Sequence, residues 1–414
     1  MFIIDNYIIL IYNENEERKI KNMIKLLNIN ISGYKMLKEN FTLDLVTKAK
    51  VNDEDLMDEI IEIDENLYTY DVLAFTGRNS SGKTTVLDMI VNVLSFMNGG
   101  RWLYRDFDFS TDSIILNVDF YYDGFIYIYH GEIIKPKINY NHNVPYFCEI
   151  SNESLFFAKY KKSAGKRYKT TMNYERIRRD KTISDTSILY NDLKNKVSFD
   201  YLNTIVGNDA FVTQEFFDCF EKIDFDLLCN IIKLLDESIE YIKVIKGANQ
   251  VNFKRINESE KIYDFSTLLA QLSKGTIKGI EVYIRAIMML KKGGYVLIDE
   301  IESSFHKDLV NNIIYLFNDK RMNKSSSTLL FTTHYVEILD VFNRRDNIFV
   351  LQKDNSEISI SNVYSDYNIR TEILKSKQFY NNTFKTLLNY DQLMKVKRGV
   401  VNEILETLGK GQVK

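Results

Sequence analysis

The stretch Gly77-Arg78-Asn79-Ser80-Ser81-Gly82-Lys83-Thr84 constrains the fold more than any other part of the chain. It has the spacing G-x-x-x-x-G-K-[ST], a loop that works between a buried strand and a helix N-terminus. Both flanks are present: Tyr70 to Thr76 is an apolar run of strand length, and Thr85 to Leu94 has helix-compatible apolar spacing. Glycines let backbone N–H groups curl around phosphate oxygens where a side chain would block the approach. The helix start adds unpaired N–H groups and a partial positive charge. Gly77, Asn79, Ser80, Ser81, Gly82 and Thr85 are the expected phosphate cradle. Lys83 is the cation that can reach β- and γ-phosphates, and Thr84 the hydroxyl that can hold Mg²⁺.

A second pattern answers to the first. Gly293-Gly294 precedes Tyr295-Val296-Leu297-Ile298, and Asp299-Glu300 follows. Four apolar residues predict a buried strand with two carboxylates at its C-terminal end, where ligands bind in open α/β sheets. Asp299 is the expected Mg²⁺ ligand, directly or through water. Glu300 is the expected general base toward an attacking water.

Upstream lies Leu272-Ser273-Lys274-Gly275-Thr276, with an apolar helix expected over Ile277 to Leu290. A Ser hydroxyl, a Gly N–H and a helix N-terminus together make an anion site; an ordinary Ser cap explains the same residues. Downstream, Thr328 to Thr333 is a short apolar strand ending in polar residues, and His334 follows it. The chain has only four histidines: His130, His142, His306 and His334.

In this order the four motifs resemble those of the ABC-type ATPases, and more closely their soluble branch with the RecF, SMC and OLD groups. Leu272 to Thr276 is similar to the L-S-G-G-Q signature, with Lys274 and Thr276 as departures. Met23 to Lys35 looks like the opening strand of that branch, and Glu302-Ser303-Ser304-Phe305-His306 resembles the E-x-x-L-H continuation of OLD-type and bacterial defence ATPases. The resemblance implies an α/β fold: an ABC-type P-loop ATPase head with a β-rich N-terminal region and a helical insert. It implies ATP and Mg²⁺ as cofactors, and a homodimer or higher oligomer closing head to tail. In it, Ser273 and Gly275 cap the γ-phosphate on the opposite subunit, and His334 is a switch histidine. Gln214, in Phe211-Val212-Thr213-Gln214-Glu215, is a candidate for the glutamine that senses Mg²⁺ and water; an exposed polar residue is the alternative.

Composition fits a globular chain: 414 residues, 45% apolar, 27% charged. A net charge of −3 means that any nucleic-acid site is a local patch. Cys148, Cys219 and Cys229 show no metal-ligand spacing and read as reduced cytoplasmic thiols. No apolar run reaches the length of a membrane span. Phe2 to Tyr12 is short, interrupted and without a basic leader, so it reads as a strand, and Met23 could serve as an alternative start.

The motifs order the rest. Residues 1–352 are expected to form the ATPase domain, with a variable insert at about 140–260, and 353–414 a mainly helical C-terminal region. Ile114 to Ile134 reads as a hairpin broken at Asp123-Gly124, and acidic Asp53 to Glu65 as a solvated loop or hairpin edge. No heptads predict long coiled-coil arms. Inside the insert, ten cations from Lys159 to Lys181 face only Glu175 and Asp180, with Tyr160, Tyr168 and Tyr174 interleaved. That run suits nucleic acid, an acidic protein surface or a solvated face. Thr371 to Leu408 carries no Toprim or H-N-H nuclease pattern, so a nuclease or toxin effector is expected to be a separate protein. The resemblance points to a conformational switch in bacterial phage defence, acting as sensor or scaffold. A DNA repair ATPase of the RecF kind is the alternative, and a transporter's nucleotide-binding subunit a third.

Overall fold

The computed structural model describes residues 23–137, 146–179, 184–202, 217–218, 220–245, 247–303, 305–367, 374–384 and 390–410. Its strands are β1 (Lys25–Ser32), β2 (Phe41–Asp44), β3 (Ile60–Asp64), β4 (Leu67–Tyr70), β5 (Val72–Gly77), β6 (Ser113–Tyr122), β7 (Phe125–Ile134), β8 (Glu149–Lys159), β9 (Glu175–Arg179), β10 (Phe199–Leu202), β11 (Ile239–Ile245), β12 (Gln250–Arg255), β13 (Lys261–Asp264), β14 (Tyr295–Ile298), β15 (Thr328–Thr333), β16 (Ile348–Asp354) and β17 (Glu357–Asn362).

The strand before the glycine loop, β5, lies inside a sheet of order β10-β14-β15-β5-β16-β17. All pairs are parallel except the last, in which β17 runs antiparallel to β16. Every residue of β5, β14 and β15 is buried, as expected of parallel strands covered on both faces. One face carries Leu73, Phe75, Leu297, Leu330 and Phe349 into a core shared with β1, β6 and the helix Lys83–Gly99. The other carries Val72, Ala74, Val296, Ile298 and Phe331 against the helices Lys274–Lys292 and Lys307–Asn318.

A second, antiparallel sheet has the order β2-β1-β6-β7-β8-β9. The β6–β7 hairpin pairs Tyr122 with Phe125 across Asp123 and Gly124, whose φ values of 48° and 82° give the doubly left-handed turn that matches strand twist. Residues 60–70 form the small β3–β4 hairpin. The acidic stretch beside it is structural: Asp55 pairs with Arg344 at 2.8 Å, and the Glu59 carboxylate accepts from the Arg344 N–H at 3.0 Å.

Where a helical insert is expected, the described residues are mixed. β8 and β9 extend the antiparallel sheet. β11–β13 form a three-stranded sheet packed on the helices Phe225–Leu235 and Phe265–Gln271. Alternating Val and Phe in β12 favour strand over helix, since Val251 and Phe253 point to one buried face. The central sheet also runs past residue 352, because Ile358 in β17 is fully buried in the main core. Helical structure follows it at Lys375–Tyr380 and Tyr390–Lys410. Phe2 to Tyr12, Gln214, Cys219 and Lys181 lie outside the described residues. No helix among the described residues is long and apolar enough to cross a membrane.

Candidate nucleotide site

The loop between β5 and the helix Lys83–Gly99 adopts backbone geometry that its glycines permit. Gly82, the N-cap, has φ 100°, and a Cβ there would meet the Ile358 side chain at 2.5 Å. A Cβ on Gly77 would meet the Leu351 carbonyl at 2.4 Å. Ser81 Oγ is buried inside the loop without a hydrogen-bond partner. A buried hydroxyl left unpaired is costly, and an anion accepting from it removes that cost.

Lys83 is buried, and all three of its ammonium protons have acceptors in the loop region. It donates to the carbonyls of Gly77 and Arg78, each at 3.0 Å, and lies 3.1 Å from His334 Nδ1. Since lysine can only donate, Nδ1 is the acceptor and the neutral ring's proton sits on Nε2. That atom faces Glu300 Oε1 at 3.6 Å. Burial lowers the Lys83 pKa to about 8, against the raising effect of Glu302, Asp299 and Glu300.

The ends of β14 and β15 supply the acids and their supports. Thr84 Oγ1 donates to Asp299 Oδ2 at 2.8 Å, and Thr332 Oγ1 donates to Asp299 Oδ1 at 2.5 Å. The Thr332 hydroxyl also accepts from the Glu300 N–H at 2.7 Å. Glu300 has φ 48°, a left-handed conformation that costs energy in a residue with a Cβ. Glu302 Oε1 accepts from the His334 N–H at 2.6 Å. A cavity of about 510 Å³ brings together Asn79, Ser80, Gly82, Lys83, Thr84, Thr85, Glu300 and His334. Thr84 and Asp299 place a hydroxyl and a carboxylate where one cation can touch both. A Mg²⁺ site needs only one or two protein oxygens alongside phosphates, so this donor set fits it. Among the described residues no group of three or more His, Cys, Asp or Glu is placed to hold a metal ion by itself.

Ser273 and Gly275 do not line this cavity. Ser273 caps the helix Lys274–Lys292: its Oγ accepts from the Thr276 N–H at 3.0 Å. His306 likewise caps the helix Lys307–Asn318, and its exposed ring lies outside the cavity. Glu302, Thr332 and the buried Lys278 are the residues sequence reasoning did not select. The threonine before Thr333-His334 and the quoted E-x-x-F-H run were the available signals for Thr332 and Glu302. In the basic run, Lys162 pairs with Glu65 at 3.1 Å, and Arg176 sits 5.0 Å over the Phe156 ring. Tyr168 is buried with its hydroxyl on Asp119 at 2.9 Å, so its ring is not free to stack on a base, and the half-buried Tyr174 bonds the Tyr168 carbonyl.

The parallel sheet, glycine loop, lysine and paired acids define a P-loop ATPase. The family described as "AAA domain, putative AbiEii toxin, Type IV TA system" matches residues 72–340, and the chain belongs to that family. The family implies nucleotide binding with a divalent metal. Two solved structures are similar at low identity. The SMC head domain from Thermotoga maritima is 11% identical, with TM-score 0.41, over 82% of this chain and 99% of that one. The structure described as "An inward-facing conformation of a putative metal-chelate type ABC transporter" is 10% identical, with TM-score 0.29, over 82% of this chain and 84% of that one. No curated protein matches.

Proposed function

We propose that the chain binds and hydrolyses ATP with Mg²⁺ as a conformational switch. The observation that carries this is the single cavity where Lys83, Thr84, Glu300 and His334 meet. Thr84 and Asp299 would hold Mg²⁺, whose charge would offset that of the phosphates. Lys83 would exchange its loop carbonyls for phosphate oxygens, and the amides of Ser80 to Thr85 would cradle them. Glu300 would take a proton from water as its oxygen bonds to the γ-phosphorus and the bond to the bridging oxygen breaks, releasing ADP and phosphate. Ser273 and Gly275 would cap the γ-phosphate of a second copy, so ATP would close a head-to-tail dimer and hydrolysis would open it.

The biological reading is a sensor or scaffold ATPase of a bacterial anti-phage system with a separate nuclease or toxin effector. The family's description, which names an AbiEii toxin of a toxin–antitoxin system, supports it. DNA maintenance of the RecF kind is the second reading. Lys166 and Arg167 on two adjoining cavities, of about 820 and 470 Å³, favour it. ATP turnover by purified protein, with and without duplex DNA over a salt series, separates the two. DNA-stimulated turnover with a steep salt slope favours maintenance. DNA-independent turnover together with co-purification of a toxic partner favours defence. No ATP turnover under any condition would refute both.

A further inference from the structure

Lys278 and Glu302 are oppositely charged side chains, both buried, and each has a polar atom without a hydrogen-bond partner. Lys278 is 5% exposed and its Nζ has no hydrogen-bond partner. Its one contact of note is the Phe305 ring face, 5.8 Å away. Glu302 is 9% exposed and uses only Oε1, on the His334 N–H, leaving Oε2 buried and unpartnered. Burial lowers the Lys278 pKa, with Glu300 first and Glu302 next among the carboxylates that raise it, so both lie within electrostatic reach. Leaving two such atoms unpaired is expensive, since a buried charge is tolerated chiefly when paired.

The placement of Lys278 gives the vacancy a use. It lies on the helix capped by Ser273, five residues on, about 7.5 Å along the axis. That helix belongs to two cores at once: Ile280 and Ile284 pack in the β11–β13 lobe, while Val282 and Ala286 pack on the central sheet. A pull on Ser273 would therefore be carried by a continuous helix that packs on β14.

We infer that Lys278 is a positioning residue that closes onto the free oxygen of Glu302 when Ser273 engages an anion, and so transmits that engagement through the His334 backbone to Lys83. This rests on the ATPase reading above. The ion pair would complete the carboxylate holding His334, and His334 Nδ1 already touches Lys83. The proposal predicts opposite signs for stability and turnover, because the uncompensated cation costs stability until the switch closes.

The test uses the full chain and the substitutions Lys278→Met, Lys278→Arg and Glu302→Gln, with the double variant Lys278→Met/Glu302→Gln. Glutamine keeps an oxygen for the His334 N–H while losing the charge. Lys278→Met is expected to raise the nucleotide-free melting temperature, to keep ATP affinity within about threefold, and to lower kcat at least tenfold. Lys278→Arg should restore most of kcat, and the double variant should be no slower than the slower single one. A parental kcat in Lys278→Met overturns the inference, as does a multiplicative loss in the double variant. A fall in melting temperature with kcat lost and no rescue by arginine assigns Lys278 an ordinary structural role and overturns it too. Absence of ATP turnover in the parental chain would defeat the ATPase reading and this inference together, whereas parental turnover with an unaffected Lys278→Met defeats this inference alone.

Discussion

Thr84 Oγ1 and Asp299 Oδ2 are hydrogen-bonded at 2.8 Å, closing the gap between the glycine loop and the acidic strand. The bond joins the two groups that would share a divalent cation. Its proton must be redirected when a metal takes that place, so metal and hydrogen bond compete for the same oxygens. Replacing Thr84 by Val keeps the volume and removes the oxygen. Nucleotide affinity measured by calorimetry in excess chelator should be unchanged. The gain in affinity on adding Mg²⁺ should be lost, by about tenfold or more. An undiminished Mg²⁺ gain would place the cation elsewhere.

Lys83 offers a proton-linked signature. Burial holds its pKa down at about 8, and phosphate oxygens favour the charged form. Nucleotide binding should therefore raise that pKa and take up a proton above pH of about 8. Affinity should fall as pH rises through about 8. Calorimetry at pH 8.5 in two buffers of different ionisation enthalpy measures the uptake. Lys83→Ala should abolish it and weaken binding at least tenfold. Equal heats in both buffers would exclude Lys83 as the responding group.

Glu300 is expected to act on water rather than on the nucleotide. Glu300→Gln should bind ATP with near-parental affinity and lose about 10² to 10⁴ in kcat, since the amide cannot take up the proton. It should also trap a nucleotide-bound dimer, visible as a doubled mass in light scattering. Turnover at the parental rate would remove Glu300 from the reaction.

Ser273 lies outside its own subunit's cavity, and the head-to-tail proposal gives it the partner's γ-phosphate. Ser273→Arg should leave ATP affinity of the isolated subunit unchanged. ATP-dependent dimerisation and hydrolysis should both disappear. The lost serine cap costs about 1 kcal/mol of stability, so a melting curve must accompany the assay. Loss of nucleotide binding by the monomer would contradict the assignment.

The motifs of the candidate site were legible because each is local. Gly77 to Thr84 is a contiguous run, and Asp299-Glu300 and His334 each close a short apolar strand. Each motif therefore announces a strand end, and strand ends of a parallel sheet share one edge. Glu302 and Lys278 are different. Their significance lies in buried atoms without partners, one on a helix and one beyond a strand end, which no spacing encodes. The basic run shows the same limit: interleaving with cations suits base stacking, but Tyr168 spends its ring on the core and its hydroxyl on Asp119. β17 was missed because its alternation, Ile358 and Ile360 between polar residues, is only six residues long and follows the last recognisable motif.

That last strand has a practical consequence. Ile358 fills the space against Gly82, and its backbone bonds to Met36 and Lys38 on the loop between β1 and β2. A gene cut at residue 340, where the matched segment ends, would lack both β16 and β17. Such a fragment would expose one side of the phosphate loop and sever its tie to the antiparallel sheet. The shortest piece worth subcloning for nucleotide work thus ends beyond Asn362, even though the candidate catalytic motifs end at His334.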